Sequence, residues 1–218
     1  MPHHATRRSF LGSAIALSAG AALMGGIAPR RRPEGDRPRA SGKRLLILGG
    51  TGFLGPACVD AALAKGHVVT LFNRGITEKR KGGMFPDLEK LVGDRDPKKG
   101  EGLKALEGRE WDAVIDTSAY VPRIAAASAT LLAPRVAHYV LISTISVYKD
   151  NAVPHADETA EVGTLADPTV EEMGKQFENY GPLKALCEQA AEKAMPGRVT
   201  NVRPGFIIGP GEIGRAHV

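Results

Sequence analysis

One stretch, Lys43 to Gly55 (KRLLILGGTGFLG), restricts the folds open to this 218-residue chain more than any other. Leu45, Leu46, Ile47 and Leu48 form an unbroken apolar run, the pattern of a strand buried on both faces of a parallel sheet. Gly49, Gly52 and Gly55 then recur at every third position, and an apolar, Ala-rich segment with helical spacing runs from Phe53 to Ala64. Strand, glycine turn and helix in that order suit a pyrophosphate. Gly49 takes the tight turn, Gly52 lets the backbone approach the phosphates, and Gly55 lets the helix pack close to the strand. The first N–H groups of the helix and their partial positive charge then face the anion. A plain structural turn is the competing reading, so the rest of the chain has to decide.

The segments that follow alternate between strand and helix. His67 to Phe72, Leu88 to Val92, Trp111 to Asp116, Ala137 to Ser143 and Arg198 to Arg203 read as strands two to six. Leu103 to Leu106, Ile124 to Leu132 and Tyr180 to Ala194 read as helices, and residues 75–87 as a polar loop. Alternation of this kind predicts an α/β fold, a doubly wound parallel sheet of Rossmann type. Right-handed crossovers give the strand order 3-2-1-4-5-6, with the site at the carboxyl edge near strands one and four.

Charge separates the folded part from its leader. The net +5 lies entirely in residues 1–42, which hold seven arginines and two acidic residues, while residues 43–218 balance 22 basic against 22 acidic. The expected folded part therefore has no overall basic field, and nucleic acid is not an expected partner. The two cysteines, Cys58 and Cys187, fall in expected helices and read as small buried hydrophobes. His3 and His4 lie in the leader, and no metal site is expected.

Within the leader, Arg7-Arg8 precede an uncharged run rich in Ala, Gly and Ser from Phe10 to Ala28. This is the pattern of a twin-arginine export signal, with a membrane anchor as the alternative. Residues 30–42, rich in Pro, Arg and Gly, read as a disordered linker. Export of an already folded protein to the periplasm favours a cofactor held tightly and regenerated within each turnover.

The residues able to do chemistry come later in the chain. Ser143, Thr144 and Ser146 follow strand five, on the edge that carries the glycine turn. Tyr180 and Lys184, in YGPLK, are four apart and share one helical face. A free tyrosine, with a pKa of about 10, is a poor base at neutral pH. A neighbouring ammonium favours phenolate, so Tyr180 can take a proton from a substrate hydroxyl while Lys184 also holds the nicotinamide ribose and Thr144 orients the substrate oxygen. Strand two ends in Asn73-Arg74-Gly75 without the carboxylate that selects NAD, and Arg74 can neutralise a 2′-phosphate. The cofactor expectation is NAD or NADP, leaning to NADP. Asp94, after strand three, caps a turn or meets the adenine amino group.

Together GGTGFLG, STISVY, YGPLK and RPGFIIGPG resemble the extended short-chain dehydrogenase/reductase family, in its NAD-dependent epimerase/dehydratase group, over residues 43–211. The resemblance implies Thr144, Tyr180 and Lys184 as catalytic hydroxyl, acid/base and lysine. It implies Gly49, Gly52, Phe53, Leu54 and Gly55 at the pyrophosphate, with Thr51 in the same loop, and Asn73 and Arg74 at the adenosine end. Asp94 would lie at adenine, Thr117, Ser118 and Ala119 along the cofactor, and Pro204 and Gly205 near the nicotinamide. It implies a sugar or nucleotide-sugar substrate and transient hydride transfer. The alternatives are a plain NADP-dependent reductase and a non-catalytic dinucleotide- or RNA-binding relative. A homodimer is possible for the full-length form. Strand two lacks its acidic end, and TSAY follows strand four in place of small apolar residues. Glu212 to Val218 reads as a non-native tail and the chain as a fragment lacking most of its substrate domain.

Overall fold

The computed structural model describes residues 42–152 and 154–209. The expected export signal, most of the linker and the expected tail lie outside the described residues. Six strands, β1 (Arg44–Leu48), β2 (Val68–Asn73), β3 (Glu89–Val92), β4 (Trp111–Asp116), β5 (Val136–Ile142) and β6 (Val199–Val202), form one parallel sheet in the order β3-β2-β1-β4-β5-β6. The helices are α1 (Gly55–Ala64), α2 (Ile76–Lys81), α3 (Pro122–Leu132) and α4 (Tyr180–Ala194). The expected order and fold class are those observed.

Strand β1 shows why its run is apolar throughout. Leu46 and Leu48 enter one core with Val114, Tyr139, Leu141, Leu132 and Cys187, while Leu45 and Ile47 enter the other with Val59, Ala62, Val69 and Leu71. Alternate side chains leave opposite faces of a strand, so helices on both faces require apolar residues at every position. On one face α3 buries Ala125, Ser128, Ala129 and Leu132. Facing α3, α4 buries Leu183, Lys184, Ala185, Cys187, Glu188 and Ala191. The small residues among these, Ala125, Ser128 and Ala129 on α3 and Ala185, Cys187 and Ala191 on α4, let the two helices approach closely. At the start of α4, a Cβ added to Gly181 would collide with the Ser146 carbonyl.

Several strand ends differ from expectation by one residue, the expected helix at 103–106 is a 3-10 turn over Lys104–Leu106, two helix starts differ by two residues, and one element is new. Helix α1 begins at Gly55, not Phe53, with a proline in its first turn; α3 likewise begins at Pro122, two residues earlier than expected. The expected loop at 75–87 contains α2, closed at each end by a left-handed glycine, Gly75 at φ 71° and Gly82 at φ 73°. Its polar sequence ITEKRK carries no helical apolar periodicity, so only the glycines marked it.

Candidate functional site

The carboxyl ends of β1, β2, β4 and β5 bring the expected residues together. Gly49 adopts φ 87°, and its amide donates to Phe72 O at 3.2 Å, which seats the turn beside β2. A Cβ at Gly49 would lie 2.6 Å from Thr117 Oγ1, and one at Gly55 would lie 2.5 Å from Gly49 O. Gly55 is therefore required by contact with the turn itself, a correction to its expected packing on the strand. Gly52 differs from both: a Cβ there would meet only Gly49 O at 3.4 Å, and the residue is exposed. No side chain caps the first turn of α1, so its backbone N–H groups are free to receive an anion. Phe53 is exposed beside them, Leu54 half-buried and Thr51 buried.

Three residues after β4 are more structural than expected. Thr117 Oγ1 donates to Leu48 O at 2.9 Å and to Gly49 O at 3.2 Å, pinning the glycine turn from below. Ser118 Oγ accepts from Arg95 at 3.0 Å. The Ala119 side chain is fully buried, and its carbonyl accepts from Lys184 Nζ at 2.6 Å.

Beneath them lies a charged cluster that the sequence did not reveal. Arg95, just beyond β3, makes two hydrogen bonds to Asp116, at 2.6 and 2.8 Å, and also reaches Ser128. Tyr139 donates to Asp116 Oδ2 at 2.7 Å. Burial opposes the charge on Asp116, but Arg95 more than offsets it, and the carboxyl is held below its ordinary value. Burial likewise opposes the Arg95 charge and Asp116 outweighs it, so the guanidinium is stabilised. Burial, then Asp116, pushes the Tyr139 phenol well above its ordinary value. The neighbouring Asp94 accepts the Asp96 amide at 2.8 Å, the turn-capping half of its expected role.

At the other end of the site, Thr144 is buried and caps the 3-10 turn Ile145–Val147, its Oγ1 accepting the Ser146 amide at 3.1 Å. Tyr180 opens α4, with the Thr144 hydroxyl near enough to act on its phenol. Burial raises the Tyr180 phenol above its ordinary value, and the Thr144 contact only partly opposes this. The expected depression by Lys184 is not found. Lys184 Nζ donates to Ala119 O at 2.6 Å and Ile142 O at 2.7 Å, and lies 5.2 Å from the Tyr120 ring centroid. Burial lowers the ammonium pKa. Pro204 O accepts the Ile145 amide at 3.0 Å, holding the post-β6 segment against this turn, and Gly205 is exposed. A cleft of about 480 Å³ opens beyond Tyr180, with Ser146, Tyr148, Gly163 and Thr164 in its wall.

At the adenosine end Arg74 is exposed. Asn73 Nδ2 donates to Glu78 Oε1 at 3.2 Å, and Glu78 Oε2 is buried with no hydrogen-bond partner. The one carboxylate joined to this strand end is thus turned inward. Among the described residues no group of three or more His, Cys, Asp or Glu is placed to hold a metal ion, and no helix is long and apolar enough to cross a membrane.

A parallel sheet in this order, with a glycine turn leading into α1, is a Rossmann-type, doubly wound fold. The fold is similar to that of proteins solved with NAD or NADPH. The Bordetella bronchiseptica enzyme WbmG, solved with NAD and UDP, aligns at TM-score 0.59 and 20% identity, over 76% of this chain and 54% of that one. A human epimerase family protein solved with NADPH aligns at TM-score 0.53 and 23% identity, over 80% of this chain and 57% of that one. Among curated proteins, the chloroplast stem-loop binding protein of 41 kDa b of Arabidopsis thaliana is 29% identical over 183 residues, 78% of this chain and 44% of that protein. The chain spans about half the length of these relatives. No family profile matches it.

Proposed function

We propose that this chain is the dinucleotide-binding part of an NAD(P)-dependent epimerase/dehydratase-type enzyme acting on a sugar or nucleotide-sugar. The observation that carries this reading is the glycine turn, where an open Gly52 adjoins the uncapped first turn of α1. A pyrophosphate would lie there, held by backbone N–H groups and the partial positive charge of the helix. When bound, the nicotinamide supplies a hydride acceptor and donor. Tyr180 takes the proton from a substrate hydroxyl and returns it, Thr144 orients the oxygen, and Lys184 holds the nicotinamide ribose while its bonds to Ala119 O and Ile142 O fix its place. Burial raises the Tyr180 phenol in the protein alone, so an oxidised nicotinamide held beside it would supply the positive charge that favours the phenolate.

NADP is the favoured form. Arg74 is exposed at the strand-two end, and the Glu78 carboxylate that could accept ribose hydroxyls is occupied by Asn73 on one oxygen and covered on the other. The twin-arginine pattern read at Arg7-Arg8 favours export to the periplasm over a membrane anchor. Fluorescence titration of the 218-residue protein with NADPH and NADH tests the reading: saturable binding, tighter for NADPH, is expected, and no binding of either overturns it.

The name of the Arabidopsis relative favours a second reading, a binding protein for RNA stem-loops. The balanced charge of residues 43–218 weighs against it. Strongly salt-dependent retention of a stem-loop RNA would support it over the first.

A further inference from the structure

Just past β6, Arg203 touches three separate parts of the chain. Its Nε and Nη2 donate to the Glu188 carboxylate, the shortest contact being 2.6 Å. Its Nη1 donates to the Glu158 carbonyl oxygen at 3.0 Å, and the guanidinium carbon lies 4.9 Å from the centroid of the Tyr148 ring. Glu188 is buried at 3% exposure and lies on α4, one helical turn beyond Lys184 and two beyond Tyr180. Tyr148 belongs to the wall of the cleft. That wall is thinly fastened. Lys149 N donates to Glu161 O at 2.9 Å and Gly163 N to Val147 O at 2.7 Å, and Tyr148 forms a single antiparallel bridge with Val162. Lys149 and Glu161 also pair, but both side chains are mostly exposed, which makes a weak fastening.

We propose that Arg203 is the positioning residue that sets the substrate side of the cleft, locking the wall formed by Tyr148 and residues 158–163 onto the helix that carries Tyr180 and Lys184. The inference rests on the proposed catalytic reading for the statement that this is the substrate side. A planar guanidinium suits the task, because one group can meet a carboxylate with two donors, a carbonyl with a third and an aromatic face with its plane. A lysine can keep the charge near Glu188 and the ring, but lacks the fork that also reaches Glu158 O. Since Glu188 is buried, loss of Arg203 leaves a carboxylate without its counter-ion beside Lys184, so the helix as well as the wall responds.

The test compares Arg203→Lys and Arg203→Gln with the parent 218-residue protein, each carrying 3-fluorotyrosine, with Tyr148→Phe used to assign the Tyr148 fluorine resonance. Hydrogen exchange at the Lys149 and Gly163 amides should quicken about tenfold in Arg203→Gln and less in Arg203→Lys, with a smaller change at the β1 and β4 amides. The Tyr148 resonance should shift in Arg203→Gln and be largely restored in Arg203→Lys. The emission of the single tryptophan, Trp111, reports whether the sheet is intact. NADPH binding to the parent protein, read by nucleotide fluorescence, reports separately on the proposed catalytic reading. Exchange that rises equally in β1 and β4, or a Tyr148 resonance that does not move, overturns the proposal. Absence of NADPH binding in the parent protein instead removes the catalytic reading, and with it the assignment of the cleft to substrate, while the locking of the wall is still decided by exchange and resonance.

Discussion

The Lys184 ammonium donates to the Ala119 carbonyl oxygen at 2.6 Å, joining the helix that carries Tyr180 to the segment after β4. A second bond, to Ile142 O at 2.7 Å, adds the end of β5. A lysine expected to act on a ribose and a phenol is thus also a fastening between two strand ends. Lys184→Met leaves both carbonyls without their donor and should cost about 1–3 kcal/mol of stability. Urea unfolding of the two proteins checks it. A loss confined to cofactor affinity would remove the fastening role.

Gly52→Val separates the two explanations of the glycine turn. The added Cβ meets only Gly49 O at 3.4 Å, so the fold should accept it. A phosphate approaching the same backbone should not, and NADPH affinity should fall by at least about tenfold with little change in melting temperature. Fluorescence titration and thermal unfolding report the two quantities separately. Equal losses in both would mean the glycine serves the turn alone.

Asp116→Asn breaks a buried ion pair from one side. It leaves the Arg95 charge without its counter-ion and should destabilise the protein by about 3–5 kcal/mol. Arg95→Met combined with Asp116→Leu should cost less than the sum of the single changes, as expected for groups in direct contact. The acid limb carries the same information. Asp116 is held below its unfolded value of about 3.9, so its contribution is present above that pH and disappears as pH falls through the lower folded value. Stability measured against pH should therefore show a shallower acid limb in Asp116→Asn.

Tyr180 is raised by burial, so in the protein alone it should keep its proton beyond about pH 10. Its stabilising contribution is complete below the unfolded value and is lost as pH rises through the folded one. A difference ultraviolet titration between the parent and Tyr180→Phe isolates this phenol. Titration at or below the free value would contradict the burial argument. In any form of the protein that turns over substrate, Tyr180→Phe should abolish turnover and leave bound nucleotide in place, as mass spectrometry of released nucleotide would show.

Much of the fold could be read in the sequence because its strands are buried on both faces. Leu45 to Leu48 had to be apolar at every position, and the glycines after them mark a turn that only small residues can make. The spacing of Tyr180 and Lys184 likewise follows from one helical turn. What escaped reading depends on contacts between distant residues. Arg95 and Asp116 are 21 apart in sequence, as are opposite charges in many solvated loops, and nothing local indicates that they meet in the core. Arg203 and Glu188 are alike in this respect. Helix α2 was missed because it is short and polar. The direction of the Tyr180 shift was missed because a spacing of four says that Lys184 shares a face with it, but not that the ammonium is drawn to two carbonyls elsewhere.

The two margins of the sheet differ in kind. The outer strand is four residues long on both margins, but on the β3 side Glu89 is engaged by Arg109. On the β6 side the following segment leaves Phe206 at 90% and Ile208 at 89% exposure. Short, charged outer strands resist pairing with a second molecule, whereas bare aromatic and aliphatic groups invite it. In concentrated solution the growth front of any particle should therefore lie on the second margin. Light scattering should fall when Phe206 and Ile208 are made polar.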